Sequence, residues 1–281
     1  MPESFGAARA VFNDDFKLVQ RMAPLMQKVL IIDPAPASAR LLAELMRNIA
    51  PVQLWNAVST RKGLEAARQV SPQMIFVELS GPDVDGVDFT RQLRKSDIAC
   101  RMAPVIMVTA AATPSAIMAA RDAGVHEFLR KPYTARDLLR RLEAVTLRPR
   151  DWVEAVQYIG PDRRRFNSGD YTGPLKRRSD ATATTDQARI TQALKILKAA
   201  VPAVSTDPRQ ALRAMLAQMV ELHRAANGMK DLKLAAMTTD FQRYLAIVSE
   251  RGVMDQAEIA REAQPLLALL PQDDAEEGQA A

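Results

Sequence analysis

The first half of the chain alternates two kinds of pattern. Short apolar runs occur at 28–33 (KVLIID), 52–57 (VQLWNA), 74–78 (MIFVE), 104–110 (PVIMVTA) and 126–131 (HEFLRK). Runs of this length and continuity suit strands buried on both faces of a parallel sheet. Between them apolar residues take helical spacing, as in Leu41, Leu42, Leu45, Met46 and Ile49, a helix that has ended by Pro51. Residues 60–69, 86–95, 113–124 and 135–145 read as further helices, with Gly124 at a C-terminal cap and Leu138, Leu139, Leu142 and Val145 on one face of the last. This alternation predicts an α/β domain, a five-stranded, doubly wound parallel sheet. Its functional crevice is expected beyond the carboxyl ends of the strands.

After residue 186 helical spacing returns without strands. Ile190, Leu194, Leu197 and Val201 share a face. Pro208 opens a second helix, striped by Leu212, Met215, Leu216, Met219 and His223 and closed by Asn227-Gly228. Leu234, Phe241, Leu245 and Val248 form a third stripe, ending near Gly252; Ile259, Leu266, Leu267 and Leu270 form a fourth, interrupted by Pro265. The pattern divides the chain into an N-terminal extension (1–26) with room for one helix, the α/β domain (27–147), a linker (148–185), a smaller all-α domain (186–271) and a polar tail (272–281) read as disordered.

Composition narrows the class. Hydrophobic residues at 48% and charged residues at 25% are ordinary for a globular protein. No apolar run approaches the roughly 20 residues that span a bilayer, and the N-terminus lacks a signal-peptide layout. Cys100, the single cysteine, has no partner for an internal disulfide. A cytoplasmic protein with no membrane role is expected. No Cys/His cluster suggests zinc, and no glycine-rich phosphate loop is present.

The carboxyl ends of four strands carry Asp33, Glu78, Thr109 with Ala110, and Lys131 followed by Pro132. With the Pro82–Gly86 loop, Val108-Thr109-Ala110 and Asp122-Ala123-Gly124, these residues resemble the receiver domain of two-component response regulators, over about residues 27–147. The resemblance implies a flavodoxin-like fold and a signalling role rather than an enzymatic one. It also implies a phosphoacceptor where Glu78 stands and a Mg²⁺ ion held by neighbouring acids. Thr109 and Phe128 fall where the family's switching pair lies, which raises an active-like state held without phosphate. A histidine kinase, phosphotransferase or output protein would engage a face displaying Phe128, Lys131 and Tyr133.

Two positions depart from that pattern. The second acid after the first strand is replaced by Pro34, which has no carboxylate. Asp33, Glu78 and Ser80 are left as a weak Mg²⁺ site at best, so no cofactor is expected. The acceptor aspartate is replaced by Glu78, whose oxygens reach further by one C–C bond, about 1.5 Å. A misplacement of about 1 Å can cost on the order of 10²-fold in rate. The expectation is a degenerate receiver that works by protein–protein interaction without phosphorylation. In it Glu78 pairs with Lys131, either as a fixed mimic of the phosphorylated state or as a structural ion pair, and Thr109 hydrogen-bonds to the glutamate. The competing reading is a genuine phosphoacceptor regulator.

The linker carries a basic repeat: Gly160-Pro161-Asp162-Arg163-Arg164-Arg165 recurs as Gly173-Pro174-Leu175-Lys176-Arg177-Arg178. Its glycines, prolines and aspartates argue for turns. Arginines fit an acidic docking partner, nucleic acid or a cyclic dinucleotide, beside a plain solvated linker. His223 invites comparison with histidine phosphotransfer domains, but it falls on an apolar stripe and the residues after it match poorly. Oligomeric state is not legible.

Overall fold

The computed structural model describes residues 16–163 and 185–271. It divides into two compact units, Met1–Val153 with Ile159–Thr172, and Glu154–Tyr158 with Gly173–Ala281. The expectations for residues 1–15, for Arg164, Arg165, Lys176, Arg177 and Arg178, and for the tail 272–281 lie outside the described residues.

In the first unit, helix α1 (Phe16–Met22) and a 3-10 turn (Ala23–Leu25) lead into β1 (Lys28–Ile32). There follow α2 (Pro36–Ile49), β2 (Gln53–Ala57), α3 (Thr60–Val70), β3 (Met74–Glu78), the paired two-residue strands β4 (Ser80–Gly81) and β5 (Val84–Asp85), and α4 (Gly86–Lys95). Then come β6 (Val105–Thr109), α5 (Pro114–Asp122), β7 (Glu127–Arg130) and α6 (Ala135–Thr146). The five long strands pair in parallel in the order β2-β1-β3-β6-β7. Strand pleating sends Val29 and Ile31 to one face and Leu30 and Ile32 to the other. The first face joins a core with α2, α6 and Met22 of α1; the second joins α3, α4 and α5. Met74, Ile75, Phe76 and Val77 have no exposed surface at all. Helices on both faces therefore explain why this strand reads as an unbroken apolar run.

The segment expected to be a turn-rich linker begins with structure. Strands β8 (Trp152–Glu154) and β9 (Ile159–Pro161) form a two-stranded pair. Gly124 fixes where the first unit receives β9. Its φ is +89°, and an added Cβ would lie 2.4 Å from the Ile159 carbonyl oxygen. Both the backbone and the approach demand glycine. Gly124→Ala is expected to destabilise the unit by about 1–3 kcal/mol, read as a lowered urea midpoint.

The second unit contains α7 (Thr185–Ala203), α8 (Pro208–Met229), α9 (Leu232–Arg251) and α10 (Gln256–Leu267). α7 packs on α8 and α10, and α9 packs on the same two, closing a four-helix ring around one apolar core. Asp207, Asp231 and Asp255 cap α8, α9 and α10 through their side chains. Two boundary expectations need correction. α8 does not close at Asn227-Gly228; it runs to Met229 and ends on left-handed Lys230. Gly228 instead permits close packing, since a Cβ there would meet Asp186 Oδ2 at 2.7 Å. Pro265 does not interrupt α10, which continues to Leu267. It sits in the last turn, where the lost N–H breaks one terminal hydrogen bond and no further turn depends on it. The backbone carbonyls of Glu154 and Ala155, in the segment that belongs to this unit, accept hydrogen bonds from the buried amides of Gln218 and Gln210.

Candidate functional site

The crevice at the carboxyl ends of the sheet is built by strand register. Asp33 follows β1 and is held by its backbone N–H on the Ala57 carbonyl. Glu78 ends β3 opposite Val108. Thr109 ends β6, and its carbonyl accepts the backbone N–H of Lys131 at 2.7 Å. Asp33, Glu78 and Lys131 thereby converge from three strands. Lys131 Nζ donates to Asp33 Oδ2 at 3.0 Å and to Glu78 Oε2 at 2.5 Å. The remaining carboxylate oxygens are also occupied. Asp33 Oδ1 accepts from Ala35 N at 2.8 Å, and Glu78 Oε1 accepts from Leu79 N at 3.0 Å. The carboxylate side chains keep 8% and 11% of their surface and the lysine 22%, so the triad lies largely out of water.

Burial opposes the Lys131 ammonium, but hydrogen bonds and charge from Glu78 and Asp33 outweigh it and hold its pKa above the ordinary lysine value. Tyr133 is shifted upward, first by burial; Lys131 opposes the shift, and the carboxylates of Asp33 and Glu78 add to it. This places Tyr133 in the field of the same triad.

The loop beyond β3 shapes the rim. Asp83 takes a left-handed turn (φ 58°) between β4 and β5, and Gly86 N–H returns to the Leu79 carbonyl. A side chain at Gly86 would start 2.4 Å from the Glu78 carbonyl oxygen, so this glycine lets α4 begin directly under the site. A Cβ on Gly81 would lie 2.7 Å from Cγ of Pro34, so the proline ring packs against the loop.

Two sequence expectations are corrected. Thr109 does not bond to Glu78: its hydroxyl oxygen accepts from Ala111 N at 3.2 Å, and Thr109 is buried. Phe128 is not displayed on an interaction face; it is 4% exposed, because its side of β7 turns into the core under α3, α4 and α5. Tyr133 is half-buried, packed against the opposite core. Ser80 is exposed and paired with Asp85 in the β4–β5 turn. Of the basic repeat, Arg163 is described and pairs with Asp122 Oδ1 at 3.1 Å. Both partners are well exposed, so that pair adds little.

A second polar cluster was missed from sequence. Arg94, 1% exposed, donates to the carbonyls of Gly124, Ala103 and Arg101 and lies 5.2 Å over the Trp152 ring. Its signal was present: Gly86, Thr90 and Arg94 recur every four residues on the face that also buries Phe89 and Leu93. His126 sits beside it, and Arg150 donates to the His126 carbonyl.

A magnesium ion, which the resemblance implies, does not fit these residues. Mg²⁺ binds oxygens in a near-octahedral shell at about 2.0–2.1 Å. Here an ammonium bridges the two carboxylates, backbone N–H groups take their other oxygens, and a proline ring stands where another carboxylate was expected. Among the described residues no group of three or more His, Cys, Asp or Glu side chains gathers as a metal site. No described helix is long and apolar enough to cross a membrane.

Residues 29–143 match the family model of the response regulator receiver domain. The chain is similar to the KDP operon transcriptional regulatory protein KdpE of Escherichia coli, 32% identical over 44% of this chain and 52% of that protein. It is likewise similar to the DNA-binding dual master transcriptional regulator RpaA of Synechocystis, 31% identical over 44% of this chain and 50% of that protein. The chain thus spans about half the length of these curated relatives. Among solved structures it is similar to the chemotaxis protein CheY4 of Vibrio cholerae, with TM-score 0.40, 22% identity, and 43% of this chain and 98% of that one covered. The parallel sheet and its strand order accord with that match, which makes residues 29–143, somewhat under half of the chain, a response regulator receiver domain.

Proposed function

We propose that this receiver signals by protein–protein interaction without accepting a phosphoryl group. The observation that carries the reading is the closed triad, in which Lys131 neutralises Asp33 and Glu78 together. Phosphoryl transfer asks for an attacking oxygen aligned with the leaving group and for cations free to stabilise the transferring oxygens. Here the attacking carboxylate is a methylene too long, one oxygen is tied to the lysine and the other to its neighbour's backbone. A ligand shifts a conformational equilibrium only through a difference in affinity between states. A site with no phosphoryl ligand has nothing there to shift such an equilibrium, and the burial of Thr109 and Phe128 supports a fixed arrangement. The partner would be a histidine kinase, phosphotransferase or output protein that reads this fixed surface around Tyr133 in the cytoplasm.

The test is incubation of the intact chain with a small acyl phosphate and Mg²⁺, read by intact mass. No hydroxylamine-labile gain of phosphate is expected. Stoichiometric labelling lost in Glu78→Gln would establish the phosphoacceptor alternative instead.

A further inference from the structure

The same triad points to a property beyond the loss of phosphoryl transfer, and it rests on that reading of the site. We infer that Lys131 is the domain's resident cation, an internal ammonium that holds the strand ends together in place of a divalent ion, so that this receiver neither needs nor binds Mg²⁺.

Two carboxylates this close and this buried repel one another unless a cation lies between them. Lys131 Nζ supplies it at 3.0 and 2.5 Å. An ammonium has three donors, and two are spent here. Each carboxylate is then completed by a backbone N–H, of Ala35 for Asp33 and of Leu79 for Glu78. All four oxygens are satisfied by the chain itself. An incoming Mg²⁺ would have to break both ammonium bonds and then tolerate the displaced lysine as a like charge beside it. The extra methylene of Glu78 suits this arrangement: one oxygen folds back to its own neighbour's N–H while the other reaches Lys131. The Pro34 ring packs on the loop at Gly81, so an apolar contact closes the side on which a further acidic ligand was expected.

The experiment is thermal unfolding of the full chain with about 10 mM MgCl2 against NaCl of matched ionic strength. The wild type, Lys131→Met and Lys131→Ala are compared. The wild type is expected to show no Mg²⁺-specific change in Tm. Lys131→Met, which keeps the aliphatic stem, is expected to start lower and to regain several degrees with Mg²⁺, because two carboxylates without a counter-charge now bind the ion. A wild type that gains as much as the variant overturns the inference. So do folded variants that ignore the ion. Should neither variant fold, Mn²⁺ is titrated into the wild type and amide line widths are followed. Unchanged signals at residues 33–35 and 78–80 support a resident ammonium; selective broadening there at low Mn²⁺ overturns it. The acyl phosphate assay separates the two claims. A chain that is labelled yet ignores Mg²⁺ removes the proposed function and leaves this inference standing. One that binds Mg²⁺ and stays unlabelled does the reverse.

Discussion

The double variant Pro34→Asp/Glu78→Asp is expected to take up one phosphate from an acyl phosphate in the presence of Mg²⁺, while each single variant stays inert on the same time scale. The two defects act on different requirements. Glu78→Asp withdraws the carboxylate by about 1.5 Å, which releases it from Lys131 and from the Leu79 N–H and restores the shorter reach. A displacement of about 1 Å alone costs on the order of 10²-fold. It does not supply a metal ligand. Pro34→Asp supplies a second acid beside Asp33, enough oxygen charge for Mg²⁺ to compete with the ammonium, but leaves an over-long acceptor. Together they rebuild both, and labelling should rise by far more than the product of the single effects. The readout is intact mass with and without hydroxylamine. Equal labelling of Glu78→Asp and the double variant would show that Pro34 is no defect at all.

The fold was legible because the physics that forms it is written into short segments. A strand covered on both faces has to be apolar throughout, and Met74–Val77 is. The helices between strands announced themselves by spacing, and α4 spans the same residues, Gly86–Lys95, that its pattern outlined. The positions of Asp33, Glu78, Thr109 and Lys131 at one sheet edge follow from where the apolar runs stop. What the sequence does not carry is pairing across the crevice. Nothing in spacing says that Lys131 takes both carboxylates, or that Thr109 turns to Ala111. Phe128 was misread for a related reason: period-2 alternation assigns a side chain to a face, not to what covers that face. The β8–β9 pair was hidden because glycine, proline and arginine are equally at home in a free linker and in a short hairpin with buried backbone. Its structure depends on partners far away in sequence.

Arg94→Met is the second exchange with a large expected effect, about 3 kcal/mol or more of lost stability in the receiver unit. The guanidinium gives two buried bonds to the Gly124 carbonyl, at 3.1 and 2.9 Å, and part-buried ones to Ala103 at 3.0 Å and to Arg101, and Arg94 itself has almost no access to water. Methionine keeps the volume but no donor. Each buried carbonyl left without a partner costs about 1–3 kcal/mol, and the stacking on Trp152 is lost as well. The same change should alter the response to acid. His126 Nδ1 faces the N–H groups of Val105 and Arg94, each at 3.3 Å, so it must be an acceptor and the ring proton lies on Nε2. Burial, and then the positive charges of Arg94 and Arg150, hold its pKa well below 6.5. A depressed folded-state pKa gives stability that is complete above the unfolded value and lost as pH falls below about 6.5, at up to about 1.4 kcal/mol per pH unit. Arg94→Met removes one of the charges that depress it, so the variant begins weaker at pH 7.5 yet loses less in total once the pH has fallen below the folded-state pKa. Both tryptophans, Trp55 and Trp152, belong to this unit, which makes urea unfolding by fluorescence a direct readout of it. A variant with wild-type stability would show that the carbonyls find other partners; an unchanged total loss on acidification would show that His126 does not feel Arg94.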